Sequence, residues 1–157
     1  MKKEVLLVLD NIRSVLNVGA IFRTADAFGI TKIYLCGITP APIDRFGRKR
    51  NDFHKTALGA EEFVNWEQQK NTFNLIKKLK NNGYKIISLE QSPNSIDYKK
   101  IKISKKTVII LGSETQGIGL KTLKLSDKIA EIKMLGKKES LNVSVSAGIL
   151  LSRILNI

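Results

Sequence analysis

Cysteine and histidine are almost missing from this chain, and each scarcity excludes some chemistry. Cys36 is the only cysteine and His54 the only histidine. No intrachain disulfide can form, so an intracellular, cytoplasmic home is expected. A metal site with several His or Cys ligands is excluded within one chain, and a Ser-His-Asp or Cys-His hydrolase must route its proton through His54. No apolar run is long enough to span a bilayer. Met1-Lys2-Lys3-Glu4 leads into a short apolar run with no small-residue cleavage site, as expected of a first strand rather than a signal peptide. Acidic residues are also scarce: 14 Asp and Glu stand against 27 Lys and Arg, a formal charge of +13. That imbalance calls for a polyanionic partner, nucleic acid or an anionic surface.

What is present is enough for a sizeable core. At 157 residues and 43% hydrophobic content the chain suits one domain, residues 1–157. The chain is organised around Glu139–Ser152, ESLNVSVSAGILLS, whose apolar run continues to Ile154 and Leu155. Ser140 and Asn142 precede it, and a small polar side chain before an apolar run marks a helix start, because its oxygen accepts a free backbone N–H. A helix apolar on nearly every side must be covered on every side, by the fold or by a second subunit.

Ahead of it, EVLLVL at 4–9 reads as a buried strand, and 10–14 as a loop. Asn17 is expected to cap a helix over 18–28 that stops at Gly29. KIYLCGI at 32–38 is a second strand. Residues 39–59 read as a long loop punctuated by Pro40, Pro42, Gly47 and Gly59. Its Arg45, Arg48, Lys49, Arg50 and Lys55 suit phosphates, with Phe46 and Phe53 as stacking surfaces or as anchors to the core. A short strand at 63–66, an amphipathic helix over 68–82 and strands at 84–89, 107–111 and 128–134 follow. Residues 92–100 read as a loop, and a short helix covers 120–125. Strands alternating with helices give an α/β fold with a mostly parallel sheet flanked by helices.

Three polar clusters lie where a strand or loop meets a helix, the place where open parallel sheets take ligands. The first is Asn17, Gly19 and Arg23. The second is Gly112-Ser113-Glu114-Thr115-Gln116-Gly117, which has neither the spacing of a dinucleotide fingerprint nor a phosphate-loop triplet. The third is Ser140-Leu141-Asn142-Val143-Ser144.

In this order and spacing they resemble the SpoU/TrmH family of SPOUT RNA 2′-O-ribose methyltransferases. N-x-G-x-x-x-R is complete in Asn17, Gly19 and Arg23. A strand followed by G-x-E-x-x-G is complete in Gly112, Glu114 and Gly117, and S-L-N-V-S is intact from Ser140. Members often carry Pro before the Met that precedes the third motif, where this chain has Ile132-Lys133-Met134. The resemblance implies a SPOUT-type α/β domain with a C-terminal trefoil knot. It implies an S-adenosyl-L-methionine-dependent enzyme that methylates a ribose 2′-hydroxyl of tRNA or rRNA, working as a homodimer through the terminal helix. It places cofactor contacts on Leu111, Gly112, Gly117, Ile132, Met134 and Leu141, and catalysis on Arg23, Glu114, Asn142, Ser140 and Asn17, with Glu114 pairing with Arg23 or shaping its loop. No metal is required, because the donor methyl is already activated. RNA contacts are expected from Arg23, Arg45, Arg48, Lys49, Arg50 and Lys55, without an added RNA-binding domain. The alternative is an inactive RNA-binding module of the same fold.

Overall fold

The computed structural model describes residues 2–157. Its seven strands are β1 (Glu4–Asp10), β2 (Lys32–Cys36), β3 (Trp66–Gln69), β4 (Lys85–Leu89), β5 (Ile96–Asp97), β6 (Lys106–Gly112) and β7 (Lys128–Glu131). They form one sheet in the order β3-β2-β1-β6-β4-β7-β5, with every pairing parallel. The helices are α1 (Val15–Ala27), α2 (Asn51–Ala57), α3 (Thr72–Asn81), α4 (Leu120–Leu123) and α5 (Val143–Leu155).

A sheet covered on both faces needs apolar residues at odd and even positions alike, and β1 supplies them. Val5, Leu7 and Leu9 pack with Val18, Ile21, Phe22 and Phe53, together with Leu150, Leu151 and Ile154 from α5. Leu6 and Val8 face the other way, towards Leu75, Ile76 and Leu79 of α3. The run of β1 to β2 to β3 fills one half of the sheet, and the chain then crosses to build the other half. The order in which strands are added reverses between the parallel neighbours β1 and β6, whose last residues Asp10 and Gly112 are paired in register. The loops that leave the strands at that end therefore meet over the switch point.

The structure moves several expected boundaries. The first helix starts at Val15, not Val18, because Ser14 caps it: its Oγ accepts the Asn17 N–H at 3.2 Å. Asn17 thus sits in the first turn with its side chain released for other partners. The strand expected at 63–66 lies at Trp66–Gln69, and the helix expected over 68–82 begins at Thr72 behind an Asn71 cap. The last strand ends at Glu131, so Ile132 and Met134 leave the sheet.

The long loop 39–59 needs the largest correction, since it contains α2. Only Phe53 and Ala57, one turn apart, give that helix an apolar stripe, and charged neighbours mask it in the sequence. Phe53 is fully buried and meets Phe22 edge-on at 5.0 Å between centroids, so it anchors the core and offers nothing to a ligand. Gly19 is what lets α2 lie so close to α1: a Cβ there would overlap Thr56 Oγ1 and stand 2.7 Å from the Phe53 carbonyl oxygen.

Candidate active site

The loops after β4, β6 and β7 enclose a cleft of about 680 Å³. Every residue expected to contact the cofactor lines it: Leu111, Gly112, Gly117, Ile132, Met134 and Leu141. Ser140, Asn142 and Glu114 line it too. The β6 loop folds back on itself, with Ser113 bridged to Gly117 and the Gly117 N–H donating to the Ser113 carbonyl at 2.9 Å. Gly117 holds φ +67°, and a Cβ at Gly112 would stand 2.5 Å from the Gly117 carbonyl carbon. Both positions need glycine for that return.

A hydrogen-bond chain joins the three motif segments, which lie 97 and 125 residues apart along the polymer. The Asn17 Nδ2 donates to Glu114 Oε1 at 3.2 Å, and the Asn142 Nδ2 donates to Asn17 Oδ1 at 3.0 Å. Asn142 Oδ1 in turn accepts the Ser144 and Val145 N–H groups, capping α5. A carboxylate can only accept, and backbone N–H groups can only donate, so both amide orientations follow from the two ends of the chain. The second Glu114 oxygen accepts the Arg13 N–H at 3.3 Å. Burial pushes the Glu114 carboxyl up, but hydrogen bonds from its own loop backbone, from Asn17 and from the Arg13 and Ser14 N–H groups outweigh that and hold it below its ordinary value. It is an anion at neutral pH.

Arg23 stands apart. It is exposed, does not line the cleft, and makes no ion pair or hydrogen bond with Glu114 among the described residues. Of the two roles expected for Glu114, pairing with Arg23 is not seen within this chain, and its bonds to Asn17 and to the Arg13 N–H are those of a residue that shapes its loop. The helix explains this: six residues beyond Asn17, Arg23 lies roughly 9 Å further along α1 and turned about 120° away. Of the expected RNA contacts, Arg48, Lys49 and Arg50 are each paired with an acid nearby, Asp44, Glu62 and Asp52. Arg45 and Lys55 have no acidic partner among the described residues.

Glu90 is a cleft residue that sequence reasoning missed. Its Oε2 accepts the Ile118 N–H at 2.9 Å and its Oε1 the Gln91 N–H at 3.0 Å, so it holds the β6 loop from below. Gln91 then donates to the Glu139 carbonyl at 2.7 Å, which ties down the approach to α5. The available signal was position alone: Glu90 directly follows β4 at the ligand-binding end of the sheet. With Glu114 and Glu131 it makes the charged lining of the cleft wholly acidic, in a chain whose formal charge is +13. Such a lining suits a cationic small molecule in a cleft with apolar walls from Leu89, Leu111 and Ile118.

Known proteins are similar to this chain in sequence and in fold. The profile of the SpoU rRNA Methylase family matches residues 4–152. A tRNA (guanosine(18)-2′-O)-methyltransferase of Aquifex aeolicus is 30% identical over 96% of this chain and 68% of its own length. A 23S rRNA (guanosine-2′-O-)-methyltransferase of Nitrosomonas europaea is 35% identical over 93% of this chain, but only 54% of its own length. The chain thus spans about half to two thirds of such relatives. The crystal structure of an AdoMet-bound rRNA methyltransferase from Sinorhizobium meliloti superposes with a TM-score of 0.88 at 27% identity, covering 99% of this chain and 57% of that one. With its three motifs joined across one cleft and its whole sheet shared with these proteins, the chain belongs to the SpoU rRNA methylase family.

Proposed function

We propose that the chain is an RNA methyltransferase that uses S-adenosylmethionine to methylate a ribose 2′-hydroxyl of tRNA or rRNA. The observation that carries this reading is the Glu114–Asn17–Asn142 chain, whose two ends line the acidic cleft. S-adenosylmethionine is a net cation that supplies an activated methyl group, and the acidic lining fits it. Leu111, Gly112, Gly117, Ile132, Met134 and Leu141 would hold it, largely through backbone groups.

The chain's own residues then have a positioning task, and orientation alone can contribute about 7–11 kcal/mol in favourable cases. Asn17 and Asn142 each use one amide hydrogen internally. The remaining hydrogen of each is left to aim at a ribose oxygen. Glu114 fixes their direction. Arg23, exposed and outside the cleft of its own chain, has a guanidinium that stays protonated at any working pH and serves as a cation for an RNA phosphate rather than as a base. Arg23→Lys and Arg23→Ala should lower methyl transfer by about 10- and 100-fold with a pH profile like that of the wild type; near-normal turnover in both would remove Arg23 from the mechanism.

The same reading includes a C-terminal trefoil knot, supported by the way three loops and the 132–142 segment surround one cleft. It also includes a homodimer through α5, supported by Val145, which lies on that apolar helix yet is 50% exposed. Val145→Glu should turn a dimer into a monomer in sedimentation velocity, and an unchanged sedimentation coefficient would count against this interface. The same reading includes a cytoplasmic site of action, and no helix among the described residues is long and apolar enough to cross a membrane. The direct test is transfer of labelled methyl from S-adenosylmethionine to total RNA, with methylated nucleosides mapped by mass spectrometry. Labelled 2′-O-methyl nucleosides are the expected product; absence of both transfer and calorimetric binding of S-adenosylmethionine would favour the inactive module.

A further inference from the structure

The segment after β2 carries a feature that the cofactor cleft does not use. Ile43 and Lys49 pair as an isolated antiparallel bridge, closing a small hairpin whose tip is Asp44 to Arg48. Asp44 holds the tip rigid. Its Oδ1 accepts the Phe46 and Arg48 N–H groups at 2.8 and 2.9 Å, and its Oδ2 accepts Arg48 Nε at 2.9 Å. The Asp44 and Gly47 N–H groups close the ring onto the Arg48 and Asp44 carbonyls, and Gly47 takes φ +77° to allow it. Five residues are thus organised to lift one side chain into solvent. That side chain is Phe46, which is 67% exposed.

An aromatic ring held out on a rigid turn is a ready surface for a base to stack on, because every base has a π-face. The guanidinium groups of Arg45 and Arg48 lie 4.8 and 5.1 Å from its centroid. They differ in one respect. Arg48 is tied to Asp44, whereas Arg45 has no acidic partner among the described residues and can swing away. An aromatic ring beside a releasable cation, in a chain of charge +13, fits a nucleotide: the base takes the ring and the phosphate takes the cation. Because the sheet is parallel, the segment following β2 leaves the same end as the loops of the cofactor cleft. β2 lies two strands from β6, roughly 10 Å across the sheet.

We propose that Phe46 is a stacking platform for an unpaired base of the RNA substrate, with Arg45 moving from the ring to an adjacent phosphate. The inference rests on RNA being the substrate, and it narrows that substrate to RNA with an unpaired nucleotide near the methylated one. Phe53, the other aromatic of the segment, is excluded by its burial.

The test is fluorescence anisotropy with two probes: a stem–loop RNA, and the blunt duplex of its stem alone. Phe46→Ala should weaken stem–loop binding about tenfold or more while leaving duplex binding within about twofold; Phe46→Trp should restore it. Arg45→Ala should lower the salt slope of stem–loop binding by about one. The proposal is overturned if Phe46→Ala binds both probes as the wild type does, if it weakens both equally, or if Phe46→Leu binds the stem–loop as well as Phe46→Trp. A change in sedimentation coefficient for Phe46→Ala would also overturn it, because the ring would then be covered by a second copy. Calorimetry with S-adenosylmethionine on the same variants separates this proposal from the activity: failure of cofactor binding in the wild type would strike the methyltransferase reading alone.

Discussion

Glu114→Gln should reduce methyl transfer by about 100-fold while S-adenosylmethionine affinity stays within about threefold. The variant is nearly isosteric, so the argument turns on donors and acceptors. Glu114 accepts the Asn17 amide on one oxygen and the Arg13 N–H on the other. Glutamine offers one acceptor and one donor. Whichever way it turns, a donor faces a donor, and either the Asn17 amide or the loop is released. Once Asn17 is free to rotate, Asn142 loses the partner that orients its amide. Single-turnover kinetics with labelled cofactor, beside calorimetry, separate this loss of positioning from loss of binding. Turnover near the wild-type rate would mean that the amide chain has no catalytic consequence.

The same residue sets a pH dependence. Glu114 has a folded pKa below its ordinary value of 4.5. Its stabilising contribution is therefore complete above about pH 5 and lost as pH falls through the lowered value. Acid titration of the wild type should show this loss as a falling melting temperature below about pH 4.5. In Glu114→Gln that part of the decline should be absent. An identical acid limb in both proteins would assign the loss to other carboxylates, among which Asp44, Asp52, Glu61 and Glu67 are also held low.

Gly112→Ala is expected to damage the cleft itself. The new methyl group would stand 2.5 Å from the Gly117 carbonyl carbon and 2.6 Å from the Ile118 nitrogen, both backbone atoms that cannot rotate away. The β6 loop must shift, and with it the Ile118 N–H that Glu90 holds. Overpacking of this kind costs about 1–3 kcal/mol. Applied to a loop that lines the cleft, that is a loss of roughly 10- to 100-fold in S-adenosylmethionine affinity, with the melting temperature lower by about 3–10 °C. Gly119→Ala is the control, because nothing lies within 4 Å of the added carbon and its backbone φ of −56° suits alanine. Equal cofactor affinity in Gly112→Ala and Gly119→Ala would show that the loop tolerates the shift.

Much of this was open to reading from residue order. The apolar runs at 4–9 and 107–111 became the central strands β1 and β6, because an unbroken apolar run has to be covered on both faces. The polar clusters at 17–23, 112–117 and 140–144 mark three of the turnings from strand or loop to helix. Their types and spacing were enough to indicate the family. Helix α2 was hidden because its buried face is only Phe53 and Ala57, too narrow a stripe to show among so many cations. Glu90 was hidden because its role is to accept two N–H groups, which leaves no periodic trace.

Partnership between distant side chains was decided by the tertiary structure alone. Asn17 was expected to cap its own helix, but Ser14 takes that task, so Asn17 reaches Glu114 and Asn142 instead. Arg23 carries the charge that makes it the obvious partner for Glu114, yet the pitch of α1 turns it elsewhere. Local sequence reports which face of an element avoids water. Which elements then stand side by side depends on the crossing that sets β6 next to β1, a choice made by the packing of the whole sheet.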